Sequence, residues 1–106
     1  MRTTITVRHT EVSDAIRTRA WQVMARLGRL SPHALEARVV FDQRPLTRLV
    51  EIRLHVRGGQ ILVGEGRASD HRTALDRALD KVRRQLSRDS LHVRRHKSRR
   101  SPTRRS

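Results

Sequence analysis

Four basic side chains near the end of the chain are spaced so that they would line one side of a helix. Their positions follow i, i+4, i+7 and i+11: Arg77, Lys81, Arg84 and Arg88. At 3.6 residues per turn, positions with this spacing share a face. Cations held in a row can each contact a phosphate, so the row predicts binding to a polyanion rather than catalysis.

The opposite side of the same helix is apolar. It carries the expected core residues Leu75, Leu79, Val82 and Leu86, with Ala78 at one flank. A polar face opposite a core stripe is normal for any surface helix, and Asp80 with Arg84 is also an ordinary stabilising pair. Four like charges in one row repel each other, however, and this favours the binding interpretation over a merely solvated face.

The first helix offers a weaker extension of the same surface. Arg26 and Arg29 lie off its expected core stripe and could continue a basic surface between the helices. Trp21, the only tryptophan, has two readings: it stacks on a base, or it covers a sheet edge. Aromatic residues make up only 2% of the chain, which argues against a platform for single strands and favours the second reading.

The charge of the whole chain points to the same partner class. Its 106 residues carry a formal net charge of +15, and 23 of the 25 basic residues are arginine. Nucleic acid is the leading partner, with an anionic membrane surface as the rival. A GC-rich genome would equally explain the arginine bias, but the charge acts whatever its origin.

Other chemistry finds little support. There is no cysteine, the acids are scattered, and no glycine-rich phosphate loop precedes a helix. His92 and His96 have i, i+4 spacing but lie in a basic terminal segment without further metal ligands. We therefore expect no enzyme activity, no metal and no cofactor. No secretory signal or membrane-spanning run is evident, which favours the cytoplasm and no membrane partner.

Alternation and helical spacing predict six elements. A Ser13 cap starts a helix that Gly28 would end, and Ser69 or Asp70 caps a second helix that runs to about Ser87. Gly58-Gly59 signals a hairpin, and Gly64 and Gly66 should weaken the strand that follows. The expected strands are residues 3–8, 35–42, 49–57 and 60–67.

These elements assemble into an α+β fold. The order β-α-β-β-β-α predicts a two-layer sandwich, with a four-stranded sheet covered on one face by two helices, as in double-stranded RNA-binding domains. The first two strands should be parallel and the others antiparallel. Residues 1–88 form the expected domain, and residues 89–106, with seven bases and one acid, form an expected disordered basic tail.

Three stretches resemble the ribosome hibernation-promoting factor and ribosome-associated inhibitor family, also called the S30AE or sigma-54 modulation family. They are EVSDAIR at residues 11–17, LHVRGG at 54–59, and SDHRTALD through DKVRRQL at 69–86. The last is similar to the family's pattern D-x-Y-x-A-I-D followed by D-K-L-x-R-Q-L, and it is the most specific. The chain has Arg72 where the family usually has tyrosine, and it is too short for the second, dimerising domain of longer members.

The resemblance implies a function. Family members bind the small ribosomal subunit between head and body, overlap the A- and P-site tRNA and the mRNA path, and silence idle ribosomes. By resemblance, Lys81 and Arg84 match basic positions that face 16S-type ribosomal RNA, whereas Arg77 and Arg88 join them from the helical spacing. We expect a short-form factor that is a monomer away from the ribosome. Whether it promotes or opposes ribosome dimers is left open.

Two other functions remain in view. A general binder of double-stranded RNA or DNA would have the same layout and would bind free duplex as well as it binds subunits. A regulatory protein-interaction module would bind a protein partner without RNA and would be insensitive to salt.

Overall fold

A computed structural model of the chain describes residues 1–104, with side chains described for residues 1–88. The element order is the predicted β-α-β-β-β-α. The elements are β1 (Arg2–Val7), α1 (Asp14–Leu30), β2 (Ala34–Arg44), β3 (Thr47–Val56), β4 (Gln60–Ala68) and α2 (His71–Arg104).

The four strands form one mixed sheet in the order β1-β2-β3-β4. β1 runs parallel to β2, because α1 carries the chain across between them, and the remaining pairs are antiparallel. One row across the sheet pairs Ile5 with Val39, Val39 with Ile52, and Ile52 with Gly64. The predicted strand directions are confirmed, and β1 and β4 are the two edges.

Both helices pack on the same face of this sheet. Alternation in the strands turns one set of apolar residues towards the helices, and these residues are fully buried. They include Val39 and Phe41 of β2 and Ile52 of β3, which meet Met24 of α1 and Leu75 of α2 in one cluster. The other face of the sheet, called the open face below, has no element of residues 1–88 packed over it.

The start of α1 follows the sequence closely. The backbone N–H of Ile16 donates to Ser13 Oγ at 3.2 Å, and Asp14 stands in the first turn, where the helix dipole favours an acid. The end differs from expectation, because Gly28 does not stop the helix. α1 continues to Leu30, and Gly28 lies against the side chain of Met1.

The hairpin between β3 and β4 is confirmed at Gly58 and Gly59. Their φ angles of +98° and +86° lie in the left-handed region, which side chains other than glycine rarely adopt. The turn therefore needs glycine at both positions.

Gly64 and Gly66 have a role that the sequence did not reveal. Both are buried under α2, where a Cβ on Gly64 would stand 2.5 Å from the Ala78 carbonyl oxygen. A Cβ on Gly66 would stand 2.6 Å from the Ala78 backbone nitrogen and would also meet the Ala74 carbonyl. The glycines and the facing alanines let strand and helix backbones touch, so they bring α2 close to the sheet rather than merely weakening β4.

α2 is longer than expected. The sequence between Ser87 and Pro102 contains neither glycine nor proline, and arginine is a good helix former. The helical backbone accordingly extends to Arg104. The side chains of residues 89–106 lie outside the described part, and the division into a domain and a basic tail at residue 88 stays a prediction.

Candidate nucleic-acid interface

The first turn of α2 fixes the position of the basic row. The backbone N–H of Thr73 donates to Asp70 Oδ1 at 2.8 Å, and the Thr73 hydroxyl donates to Asp70 Oδ2 at 3.0 Å. These bonds, the backbone one foremost, lower the pKa of Asp70 below its ordinary value. Asp70 rather than Ser69 is therefore the capping side chain, and it anchors the helix where β4 ends.

The buried stripe of α2 decides where the charges point. Ala74, Leu75, Ala78 and Val82 are fully buried, whereas Leu79 and Leu86 are only partly so. The stripe is thus centred closer to the two alanines than the leucine spacing suggests. This rotation brings one flank of the basic row towards the edge of β4.

Three side chains of α2 seal that edge. Arg77 donates from Nη1 to the Arg67 carbonyl at 2.6 Å, and Lys81 donates from Nζ to the Glu65 carbonyl at 2.6 Å. One turn further on, Gln85 donates from Nε2 to the Val63 carbonyl at 2.6 Å and accepts from the Val63 N–H at 3.2 Å. An unpaired strand edge exposes such groups to other chains, and here they have partners within the domain.

The basic row therefore contains two kinds of residue. Arg77 and Lys81 are exposed but also hydrogen-bonded to β4. Arg84 pairs with Asp80 one turn earlier and keeps 70% of its side chain exposed. Arg88 is exposed and has no carboxylate within 4 Å among the described side chains. All four predicted residues lie on the solvent side of α2, but only Arg84 and Arg88 leave the β4 backbone alone.

A shallow groove of about 350 Å³ runs between this row and β4. Cations outnumber carboxylates in its lining, which comprises Gly66 with Glu65, Arg67, Arg77, Asp80, Lys81 and Arg84. Arg67 pairs with Glu65 at 3.3 Å, so both carboxylates are already matched by arginine. The groove keeps a net positive charge and can hold a phosphate by charge and hydrogen bonding.

The two candidates on α1, Arg26 and Arg29, line different hollows in the structure. Arg26 lines a notch between the helices together with Arg83 and Leu79. Arg29 lines a different hollow, beside Trp21 and Thr3 of β1. Arg26 thus joins the surface between the helices as predicted, with Arg83 as a companion that the sequence reasoning missed. Asp76 of α2 pairs with Arg19 of α1 at 2.8 Å. Arg83 lies seven positions after Asp76, on the same face of α2, so this spacing could have indicated that Arg83 faces α1.

The helices and the strands differ sharply in charge compensation. α1 and the part of α2 up to Arg88 contain ten basic and three acidic residues. The four strands contain six basic and four acidic residues, and each of those acids has a cationic partner. Asp42 also accepts from the Gln43 N–H and contacts His9, and these contacts lower its pKa, the backbone bond most of all. The excess positive charge therefore belongs to the helices.

Two features that would suggest a different role are not found among the described residues. Residues 1–88 contain no group of three potential metal-ligating side chains, and His92 and His96 lie outside the described side chains. In the part of the chain that the structure describes, no helix combines the length and apolarity needed to span a bilayer.

Comparison with known proteins gives the context of this interface. The family model described as sigma 54 modulation protein / S30EA ribosomal protein matches residues 3–101, and no curated protein is significantly similar to the chain.

Solved structures agree with that match. The N-terminal domain of Protein Y from Thermus thermophilus is 31% identical, with a TM-score of 0.72 over 83% of this chain and 98% of that chain. A ribosomal subunit interface protein from Coxiella burnetii has a TM-score of 0.76 over 86% of this chain and 99% of that chain. At 17% identity, the second comparison shows a shared fold alone.

Proposed function

Because the chain belongs to the sigma 54 modulation protein / S30EA ribosomal protein family, we propose that it is a ribosome-bound inhibitor of translation. Its partner is the 16S-type RNA of the small subunit, and its site is the region where tRNA and mRNA bind. It acts by occupancy: a rigid domain set against the RNA keeps both ligands out.

The uncompensated charge of the helix layer is the observation that carries the proposal. Phosphate contacts dominate the affinity of nucleic-acid-binding proteins, and each contact releases counterions. Within residues 1–88, exposed arginines on both helices have no carboxylate within 4 Å, among them Arg26, Arg83 and Arg88. The sheet offers no comparable excess, so the helices are the side that we assign to ribosomal RNA.

The division of the basic row refines the predicted site. Arg84 and Arg88 are assigned direct phosphate contacts, and Arg26 joins them across the notch between the helices. Arg77 and Lys81 donate one hydrogen each to β4 and retain further N–H groups that reach solvent. We assign Arg77 and Lys81 a double role: one N–H group of each side chain bonds to a β4 carbonyl, and the remaining N–H groups contact RNA. Arg29 contacts RNA from the other side of α1.

Co-sedimentation with purified small subunits tests the proposal. Binding should fall steeply between about 50 and 200 mM salt, and excess tRNA should displace the protein. The double variant Arg84→Ala/Arg88→Ala should reduce the slope of log affinity against log salt by about 2 units. The matched control, Arg38→Ala/Arg53→Ala, removes the same charge from the open face and should leave the slope unchanged.

The outcomes separate the rival functions. Equal affinity for free duplex RNA and for subunits would indicate a general double-strand binder. Salt-insensitive binding to a protein in the absence of RNA would indicate a protein-interaction module. Failure to pellet with subunits at low salt would remove the proposal altogether.

A further inference from the structure

The edge of β1 lies open where the edge of β4 is sealed. The Arg8 N–H donates to the Phe41 carbonyl at 2.8 Å, so the even-numbered residues of β1 turn their backbone groups towards β2. The backbone groups of Thr3, Ile5 and Val7 consequently point away from the sheet. Within residues 1–88, no side chain of α1 bonds to them, in contrast to the three α2 side chains on β4.

A hollow of about 500 Å³ adjoins this open edge. Trp21 of α1 forms one wall and leaves 50% of its surface exposed. One and two turns later, the lining consists of the small residues Ala25 and Gly28, and the Met1 side chain lies against Gly28. Thr3 of β1 also lines the hollow. A half-exposed indole beside an open hollow offers an aromatic face on which a flat partner can stack.

The chemistry of the lining selects that partner. Arg29 is the only charged side chain of the lining, and no carboxylate shares the hollow with it. The outward backbone groups and the hydroxyl of Thr3 supply both donors and acceptors at its far side. An aromatic face, a phosphate-binding cation and a polar edge are together what an unstacked nucleotide requires.

We propose that this hollow, walled by Trp21, Arg29 and Thr3, binds one unpaired nucleotide of RNA, with the base stacked on Trp21 and its phosphate at Arg29. This inference rests on the proposed function, since it takes the partner to be RNA. It assigns Trp21 the stacking role, the interpretation that the sequence alone favours less, and it adds a second contact on the far side of α1. A duplex cannot occupy the hollow, because its bases are already stacked on both faces. An extended peptide without acidic residues could pair with β1 but would leave Arg29 without a counter-charge.

Trp21 is its own reporter. It is the only tryptophan and the chain has no tyrosine, so the emission of the protein comes from this hollow. Titration with a single-stranded oligoadenylate should quench the emission with saturation. A blunt RNA duplex of equal charge should bind, as seen by anisotropy of a label on the RNA, with little quenching. Unchanged emission at oligoadenylate concentrations that give full binding would overturn the proposal.

Variants separate stacking from general charge. Labelled oligoadenylate should bind Trp21→Leu about tenfold more weakly, whereas Trp21→Phe keeps a ring and should lose less than about threefold. Arg29→Gln should weaken binding more than Arg72→Gln, which removes an exposed arginine on α2 away from the hollow. Thermal unfolding should stay unchanged throughout. Equal affinity of the Leu and Phe variants would contradict the stacking role.

The two proposals fail in different ways. If the wild-type protein does not pellet with small subunits, the proposed function fails. Only the nucleotide site fails if three results coincide: the wild type pellets normally, Trp21→Leu pellets equally well, and oligoadenylate does not quench the emission of the wild type. A change in Trp21 emission with protein concentration alone would show that a second copy covers the β1 edge, and this would also overturn the nucleotide site.

Discussion

The two helices cover the same sheet in different ways. α2 lies directly on β4, with Gly64 and Gly66 under its alanines, and it donates side-chain hydrogens to the strand edge. α1 lies over β1 and β2 with a hollow at its outer side and no side-chain bonds to the β1 edge among the described residues. The β4 edge is closed by Arg77, Lys81 and Gln85, whereas Arg29 near the β1 edge makes no hydrogen bond to that strand among the described residues.

This difference teaches that a basic side chain on a nucleic-acid-binding surface can have two partners. A count of charges treats Lys81 and Arg88 alike, although only Lys81 also holds an edge strand in place. Loss of RNA affinity after a substitution at Lys81 would therefore mix a lost phosphate contact with a loosened strand. The substitutions that follow keep these effects apart.

The largest expected effect comes from replacing one glycine by alanine at each helix, Gly66 under α2 and Gly28 in α1. Gly66→Ala would force α2 away from β4, because the new Cβ would meet the backbone of Ala74 and Ala78. We expect the free energy of unfolding to fall by about 1–3 kcal/mol, as overpacking typically costs. Urea denaturation followed by circular dichroism measures the change.

The same substitution under α1 is its control. In Gly28→Ala the new Cβ would stand 3.3 Å from Cε of Met1, a flexible side-chain end, and alanine favours helix over glycine. This variant should be neutral or more stable by up to about 1 kcal/mol. Equal losses for Gly66→Ala and Gly28→Ala would show that the two helices pack alike.

A second test divides the basic row by its partners. Lys81→Ala removes the donor to the Glu65 carbonyl and should lower the free energy of unfolding by about 1 kcal/mol, the typical net value of one hydrogen bond. Arg88→Ala should change it by less than about 0.5 kcal/mol, because Arg88 is an exposed surface residue. Paired urea titrations at one salt concentration suffice. Indistinguishable midpoints would remove the structural role of Lys81.

Much of this architecture could be predicted from local pattern. Alternation gave the strands, Ser13 marked the start of α1, and Gly58-Gly59 marked the hairpin, because each is a short-range preference. The helix-strand contact at Gly64 and Gly66 could not be predicted, because a glycine in a strand does not reveal which backbone approaches it. The hydrogen bonds that seal the β4 edge could not be predicted for a similar reason. Helical spacing shows which residues share a face of α2 but not which part of the sheet that face contacts.

The link between the helices allows a finer test. Arg19 and Asp76 form an ion pair at 2.8 Å that leaves 34% and 45% of their side chains exposed. A double-mutant cycle with Arg19→Gln and Asp76→Asn should give a coupling energy of about 0.5 kcal/mol, which 0.5 M salt should reduce. A coupling energy near zero at low salt would mean that the helices are held together by apolar packing alone.

The last test concerns the helix caps and the pH dependence of their contribution. The bonds from Thr73 hold the pKa of Asp70 below its ordinary value of 3.8, so this cap contributes stability above that pH. The contribution should disappear as the pH falls through the lowered pKa. The stability advantage of the wild type over Asp70→Asn should therefore be present above pH 3.8 and be lost as the pH falls further.

The cap of α1 is neutral and supplies the reference. Ser13→Ala should cost about 1 kcal/mol at every pH, because a hydroxyl does not titrate in this range. Urea midpoints at several pH values compare the two caps. A difference between the wild type and Asp70→Asn that does not vary with pH would show that the charge of Asp70 is not involved.

The sealed edge rests on two repeating lengths that nearly agree. Four residues of helix advance about 6 Å, and two residues of strand advance about 6.6 Å. A helix running antiparallel to a strand can therefore meet every outward carbonyl with one side chain per turn, as positions 77, 81 and 85 meet 67, 65 and 63. The mismatch of about 0.6 Å per repeat accumulates, so this match between helix and strand can hold for only a few turns. A one-residue insertion in α2 between Arg77 and Gln85 would shift the later side chains away from their carbonyl partners.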